Sequence, residues 1–72
     1  MNIMSHDERT VFESWMSKAY TKECDQNWKS AKRIYEDCKE LTQLYDEPRE
    51  TLRVQERIDY CDKQLGIDRF AS

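Results

Sequence analysis

An all-α fold is what this chain of 72 residues predicts: a small bundle of two or three helices built on an antiparallel helical hairpin. Three observations carry that expectation. Gly and Pro occur once each, so the chain lacks the turn chemistry that a compact sheet requires. Its charged residues, 38% of the total, are dominated by the helix formers Glu, Lys and Arg. Its apolar residues recur at spacings of three and four, the period of an amphipathic helix. The same charge content would suit a disordered chain. Eight aromatic side chains (two Trp, four Tyr, two Phe) in periodic positions argue against that. At this length the chain is one domain at most, spanning residues 1–72, and its core alone supplies little stability margin.

The first helix is expected over about residues 5–20. Ser5 and Glu8 fit a capping box, and Asp7 and Glu8 suit the positive end of the helix dipole. Phe12, Trp15, Met16, Ala19 and Tyr20 then form an apolar stripe that Val11 widens. The second helix is expected over about 24–45. Cys24, Trp28, Ala31, Tyr35 and Cys38 form a coiled-coil-like seam, extended by Ile34, Leu41, Leu44 and Tyr45. The break between the two is expected between Tyr20 and Asp25, with Thr21 or Asp25 as cap, although no strong breaker stands there. Asp46-Glu47-Pro48 is the clearest joint, because proline is excluded from a helix interior and welcome in a first turn. The third helix follows over 48–65, with Leu52, Val54, Ile58, Cys61 and Leu65 inward. Gly66 stands where a left-handed cap residue is wanted, with Ile67 available for the accompanying apolar contact. Residues 66–72 read as a short tail in which Phe70 folds back or meets a partner.

Composition also narrows function. The net charge is −3 with both signs mixed, so the basic excess of a nucleic-acid module is missing, as is the one-sided acidity of a DNA mimic. Cys24, Cys38 and Cys61 are odd in number and far apart, which suits reduced, buried thiols better than a disulfide framework or a zinc site. No cofactor and no metal are expected, and His6 reads as part of a helix start. There is no glycine-rich phosphate loop, and no Cys–His pairing is visible, so the chain is not expected to be an enzyme. No signal peptide and no membrane-spanning run are seen, which points to the cytoplasm and away from the membrane.

Function therefore falls on surfaces. Trp15, Tyr20, Trp28, Tyr35, Tyr45, Tyr60 and Phe70 are more aromatic side chains than so short a chain can enclose, and they are the candidate protein-interaction residues. A second copy or another protein is the expected partner. Lys29, Lys32 and Arg33, with Arg49, Arg53 and Arg57 spaced by four, are candidate contacts for phosphate or an acidic partner. Nearby Glu36, Glu40, Glu50 and Glu56 offset those charges, so a nucleic-acid-binding regulator is the alternative and not the favoured reading.

The phrase Asp7-Glu8-Arg9-Thr10-Val11-Phe12-Glu13-Ser14-Trp15 resembles the opening of many short reading frames of temperate phages and prophages of enteric bacteria. The size and charge-rich helices are also similar to small early accessory proteins of lambda-like phages. The resemblance covers about nine residues and transfers no residue roles. It implies a regulator that works by binding host or phage proteins inside a bacterial cell.

Overall fold

The computed structural model describes residues 4–66 and contains three α-helices and no strands among them. Helix α1 spans His6–Cys24, α2 spans Trp28–Leu44 and α3 spans Pro48–Gln64. The all-α helical bundle expected from the sequence is what the chain forms. The helices run up, down and up. Both α1 and α3 pack along α2, and their backbones scarcely approach each other.

The start of α1 is the expected capping box: the Ser5 hydroxyl accepts from the Glu8 amide at 3.2 Å, and Glu8 accepts from the Ser5 amide at 2.8 Å. Its end differs from expectation. The helix continues past Tyr20 to Cys24, and the break falls at residues 25–27. Asn27, not Thr21 or Asp25, caps α2, its side chain accepting from the Ser30 amide. The reversal is made by Gln26, which adopts a positive φ of 59°. The Asn27 amide bonds back to the Lys22 carbonyl and the Gln26 amide to the Glu23 carbonyl. That pair of bonds is a Schellman ending.

The second joint repeats the first. Asp46 has φ 53°, the Glu47 amide bonds to the Thr42 carbonyl and the Asp46 amide to the Gln43 carbonyl. Pro48 then opens α3, as expected. Gly66, with φ 77°, takes the same place after α3, and its amide bonds to the Lys63 carbonyl. Ile67 and Phe70 lie outside the described residues, so the contacts expected of them do too.

The core is built from matching stripes. Phe12, Met16 and Ala19 of α1 face Ala31, Tyr35 and Cys38 of α2, and Val54, Ile58 and Cys61 of α3 close the other side. Trp28, Ile34, Leu41 and Tyr45 pack partly buried against this core. Buried Thr42 donates to the Lys39 carbonyl and accepts from Thr51 across the hairpin at 2.8 Å, so its hydroxyl is satisfied. Six apolar residues assigned to the inward stripes are exposed instead: Val11, Trp15, Tyr20, Leu44, Leu52 and Leu65. Val11, Leu44 and Leu52 lie off the buried line by about one residue's rotation or more, Trp15 and Tyr20 border it, and Leu65 stands at the C-cap of α3. Cys24 is also exposed, whereas Cys38 and Cys61 are buried free thiols. No helix among the described residues is long and apolar enough to cross a membrane.

Candidate protein-interaction surface

Two edges border the buried stripe of each helix, and they have different characters. On α1, Arg9, Glu13 and Tyr20 form the edge toward α3. Arg9 pairs with Glu47 at 2.9 Å, and Arg53 of α3 reaches Glu13 at 3.5 Å and the Tyr20 hydroxyl at 3.4 Å. At the C-terminal end of α1 the seam closes on a buried polar group. Glu23 continues the stripe Phe12–Met16–Ala19 by one further step and is itself buried. It accepts from the Tyr35 hydroxyl and from both Nε and Nη2 of Arg57, a two-pronged pairing. The Arg57 guanidinium lies 5.9 Å from the Tyr20 ring and 4.8 Å from the Tyr60 ring. Tyr20 meets Tyr35 edge to face at 5.9 Å, and Trp28 meets Tyr60 likewise at 5.6 Å. One aromatic ladder with a single cation in its middle therefore joins all three helices. Burial, with the Glu23 contact second, holds the Tyr35 phenol well above its ordinary value, and the Glu23 hydrogen bond raises Arg57.

This arrangement redistributes the residues singled out from the sequence. Tyr35 is fully buried and is a core and network residue, so it cannot meet a partner. Tyr20 and Tyr60 keep one exposed edge while flanking Arg57. Trp28 and Tyr45 are half-buried against the core. Among the cations, Lys32 pairs with Asp62 at 2.6 Å, Arg53 with Glu50 at 3.2 Å and with Glu13, and Arg57 with Glu23. The spacing of four drifts about 40° per step around a helix. Arg49, Arg53 and Arg57 thus wind from solvent at Arg49 into the seam at Arg57. Lys29, Arg33 and Arg49 remain exposed.

The opposite edges face away from α3. On α1 this edge carries Val11, Trp15, Lys18 and Lys22. On α2, Lys32 and Lys39 point to α3, where they meet Asp62 and Gln55. Ile34, Leu41 and Tyr45 lie on the other edge, beside α1. Along that outer side of the α1–α2 pair, Val11 is 45% exposed, Trp15 38% and Leu44 65%. Leu52, 66% exposed, stands separately on α3. Sequence reasoning missed two parts of this picture. Glu23 was readable only as a stripe position occupied by an acid. Leu44 and Leu52 were readable only by noting that they fall off the line of their neighbours.

A cleft of about 430 Å³ lies between α2 and α3, lined by Glu36, Asp37, Lys39, Glu40, Gln43, Gln55 and Ile58. It presents carboxylates, amides, one ammonium and the Ile58 side chain. Burial pushes the Cys38 thiol up to about 12 and the Cys61 thiol up to about 11. Among the described residues no three of His, Cys, Asp and Glu converge as a metal ion would require. Compared with known proteins, the chain matches no family model, no curated protein and no solved structure.

Proposed function

We propose that the chain is a non-enzymatic, protein-binding accessory or regulatory factor that self-associates and acts in the cytoplasm of a bacterial cell, on host or phage proteins. The observation that supports this most is the outer side of the α1–α2 pair. There Val11, Trp15 and Leu44 are exposed next to the half-buried Ile34, Leu41 and Tyr45. An apolar strip of this kind on so small a domain is the usual mark of a contact surface. Trp15 is the natural anchor, since a half-exposed indole offers area and one donor. The nucleic-acid alternative draws less support, because Lys32, Arg53 and Arg57 already face carboxylates within the chain.

The test is capture from bacterial lysate with tagged wild-type chain, compared with Trp15→Ser and Val11→Ser by quantitative mass spectrometry. Both side chains are exposed, so the variants should keep the helical circular dichroism of the wild type. A partner enriched by the wild type and lost with Trp15→Ser supports the reading. Identical capture profiles for the three proteins contradict it.

A further inference from the structure

The solvent face of α2 is charged in an order that works against its own helix. Lys29 and Arg33 lie toward the N-terminus, and Glu36, Asp37 and Glu40 toward the C-terminus. Helix dipoles favour the reverse. Both α1 and α3 follow the favourable rule, with acids in the first turn and a base in the last. Only α2 has no acid in its first turn and no base in its last. None of these five side chains is in an ion pair among the described residues. Within the face, Arg33 has Glu36 and Asp37 three and four residues on, in the less favourable base-before-acid order, and Lys29 and Glu40 have no opposite charge of this face within a turn.

They do complement a second, antiparallel copy of themselves. In an antiparallel helix pair, facing residues have numbers with a constant sum. At sums of 69 and 70, Lys29 faces Glu40 and Arg33 faces Glu36 and Asp37. Each contact then occurs twice by two-fold symmetry, which is the arrangement of a self-complementary interface. Antiparallel α2 helices also oppose their dipoles. Leu44, 65% exposed, lies on this same face of α2, so the docking also covers an apolar side chain.

We infer that the protein forms a two-fold dimer through the solvent face of α2, the second copy lying antiparallel, with Lys29 and Arg33 of each chain on Glu40 and Asp37 of the other. This rests on the protein-binding reading above and names its partner. Charge pairs at such an interface fix register and partner choice. The helix supplies its own specificity: a parallel approach would set like charges face to face.

Sedimentation equilibrium of the full chain tests this. The wild type is expected to show a monomer–dimer equilibrium that shifts toward monomer as salt rises. Arg33→Glu places an acid against Asp37 twice per dimer and should weaken association about tenfold or more. The double variant Arg33→Asp/Asp37→Arg restores opposite charges in both copies and should restore most of the affinity. All are surface changes, and circular dichroism checks that the helices persist. A wild type that is monomeric at every accessible concentration overturns the dimer. So does a dimer indifferent to Arg33→Glu, or a swap variant that fails to recover. A strict monomer that still captures a protein through Trp15 sinks the dimer and the self-association, and leaves the binding of another protein standing. A dimer with no Trp15-dependent partner does the reverse.

Discussion

Glu23 takes the last place in the inward stripe of α1, where an unpaired carboxylate would be strongly destabilising. Its partners settle the matter: Tyr35 donates one hydrogen bond and Arg57 two. The two partners are not equivalent. Removing Arg57 leaves a buried acid without its counter-charge and strips the cation from between Tyr20 and Tyr60. Arg57 is partly exposed, and water can enter once it is gone. Arg57→Ala should therefore cost about 2–3 kcal/mol, below the full penalty of a broken buried pair. Tyr35→Phe keeps the ring in the core and removes only the hydroxyl, so about 1–2 kcal/mol is expected. Urea denaturation followed by circular dichroism measures both; equal losses would mean that the charge contributes nothing beyond a hydrogen bond. The thiols give a second residue-scale check. Cys24 is exposed, whereas Cys38 and Cys61 are buried and their thiols are pushed up to about 12 and about 11. The thiolate is the reactive species. A chromogenic disulfide reagent near neutral pH should titrate Cys24 quickly, and Cys38 and Cys61 only when denaturant is added. Fast labelling of all three would show that the core opens far more easily than its packing indicates.

At the scale of the element, the two interhelical joints are built alike but were unequally legible. Pro48 announces the second: a residue without an amide proton, excluded from a helix interior, starts α3 where the sequence places it. The first joint has no such residue. Its reversal depends on Gln26 accepting a left-handed conformation, which its side chain does nothing to advertise. The sequence reading accordingly stopped α1 at residue 20, a turn short of Cys24. Leu44 misled for another reason. A periodic stripe identifies a helix, but a leucine two residues past Thr42 points to the opposite face, and apolarity alone draws it into the core. The strained joint yields a prediction. A non-glycine residue in the left-handed region costs roughly 1–2 kcal/mol, of which glycine's extra freedom when unfolded returns a part. Gln26→Gly should thus stabilise the protein by about 0.5–1 kcal/mol, or roughly 3–6 °C in Tm at this chain length. Asp46→Gly should gain less, because aspartate tolerates this conformation better than glutamine. Gln26→Val, β-branched at a positive φ, should lower the Tm. A Gln26→Gly variant that melts below the wild type would mean that the side chain contributes more than its backbone strain removes.

Across the whole molecule, α2 is the hub, and the two outer helices are joined to each other through side chains alone. Phe12, Met16, Ala31, Val54 and Ile58 bind the pairs by burial, a force indifferent to pH. Inside the bundle, burial raises the Tyr35 phenol and the Cys38 and Cys61 thiols above their ordinary values. The sign of the consequence follows directly. A thiol whose pKa lies higher folded than unfolded stays neutral in the native state while its unfolded counterpart ionises. The unfolded state then binds fewer protons, and stability falls as pH rises. For Cys38 and Cys61 the contribution is complete below the ordinary thiol value of 9.0 and drains away as pH climbs from there toward about 11 and 12. Each thiol can remove up to about 1.4 kcal/mol per pH unit within that window. Tyr35, displaced upward from a higher starting value, steepens the loss above pH 10. Thermal melts from neutral to alkaline pH should therefore hold a plateau below about 9 and then drop. Cys38→Ala and Cys61→Ala should each lower the plateau, since a cavity is left, while making the alkaline decline shallower. A decline of unchanged slope in the Cys38→Ala/Cys61→Ala double variant would place the alkaline sensitivity on Tyr35 and the network around Glu23 instead of on the buried thiols.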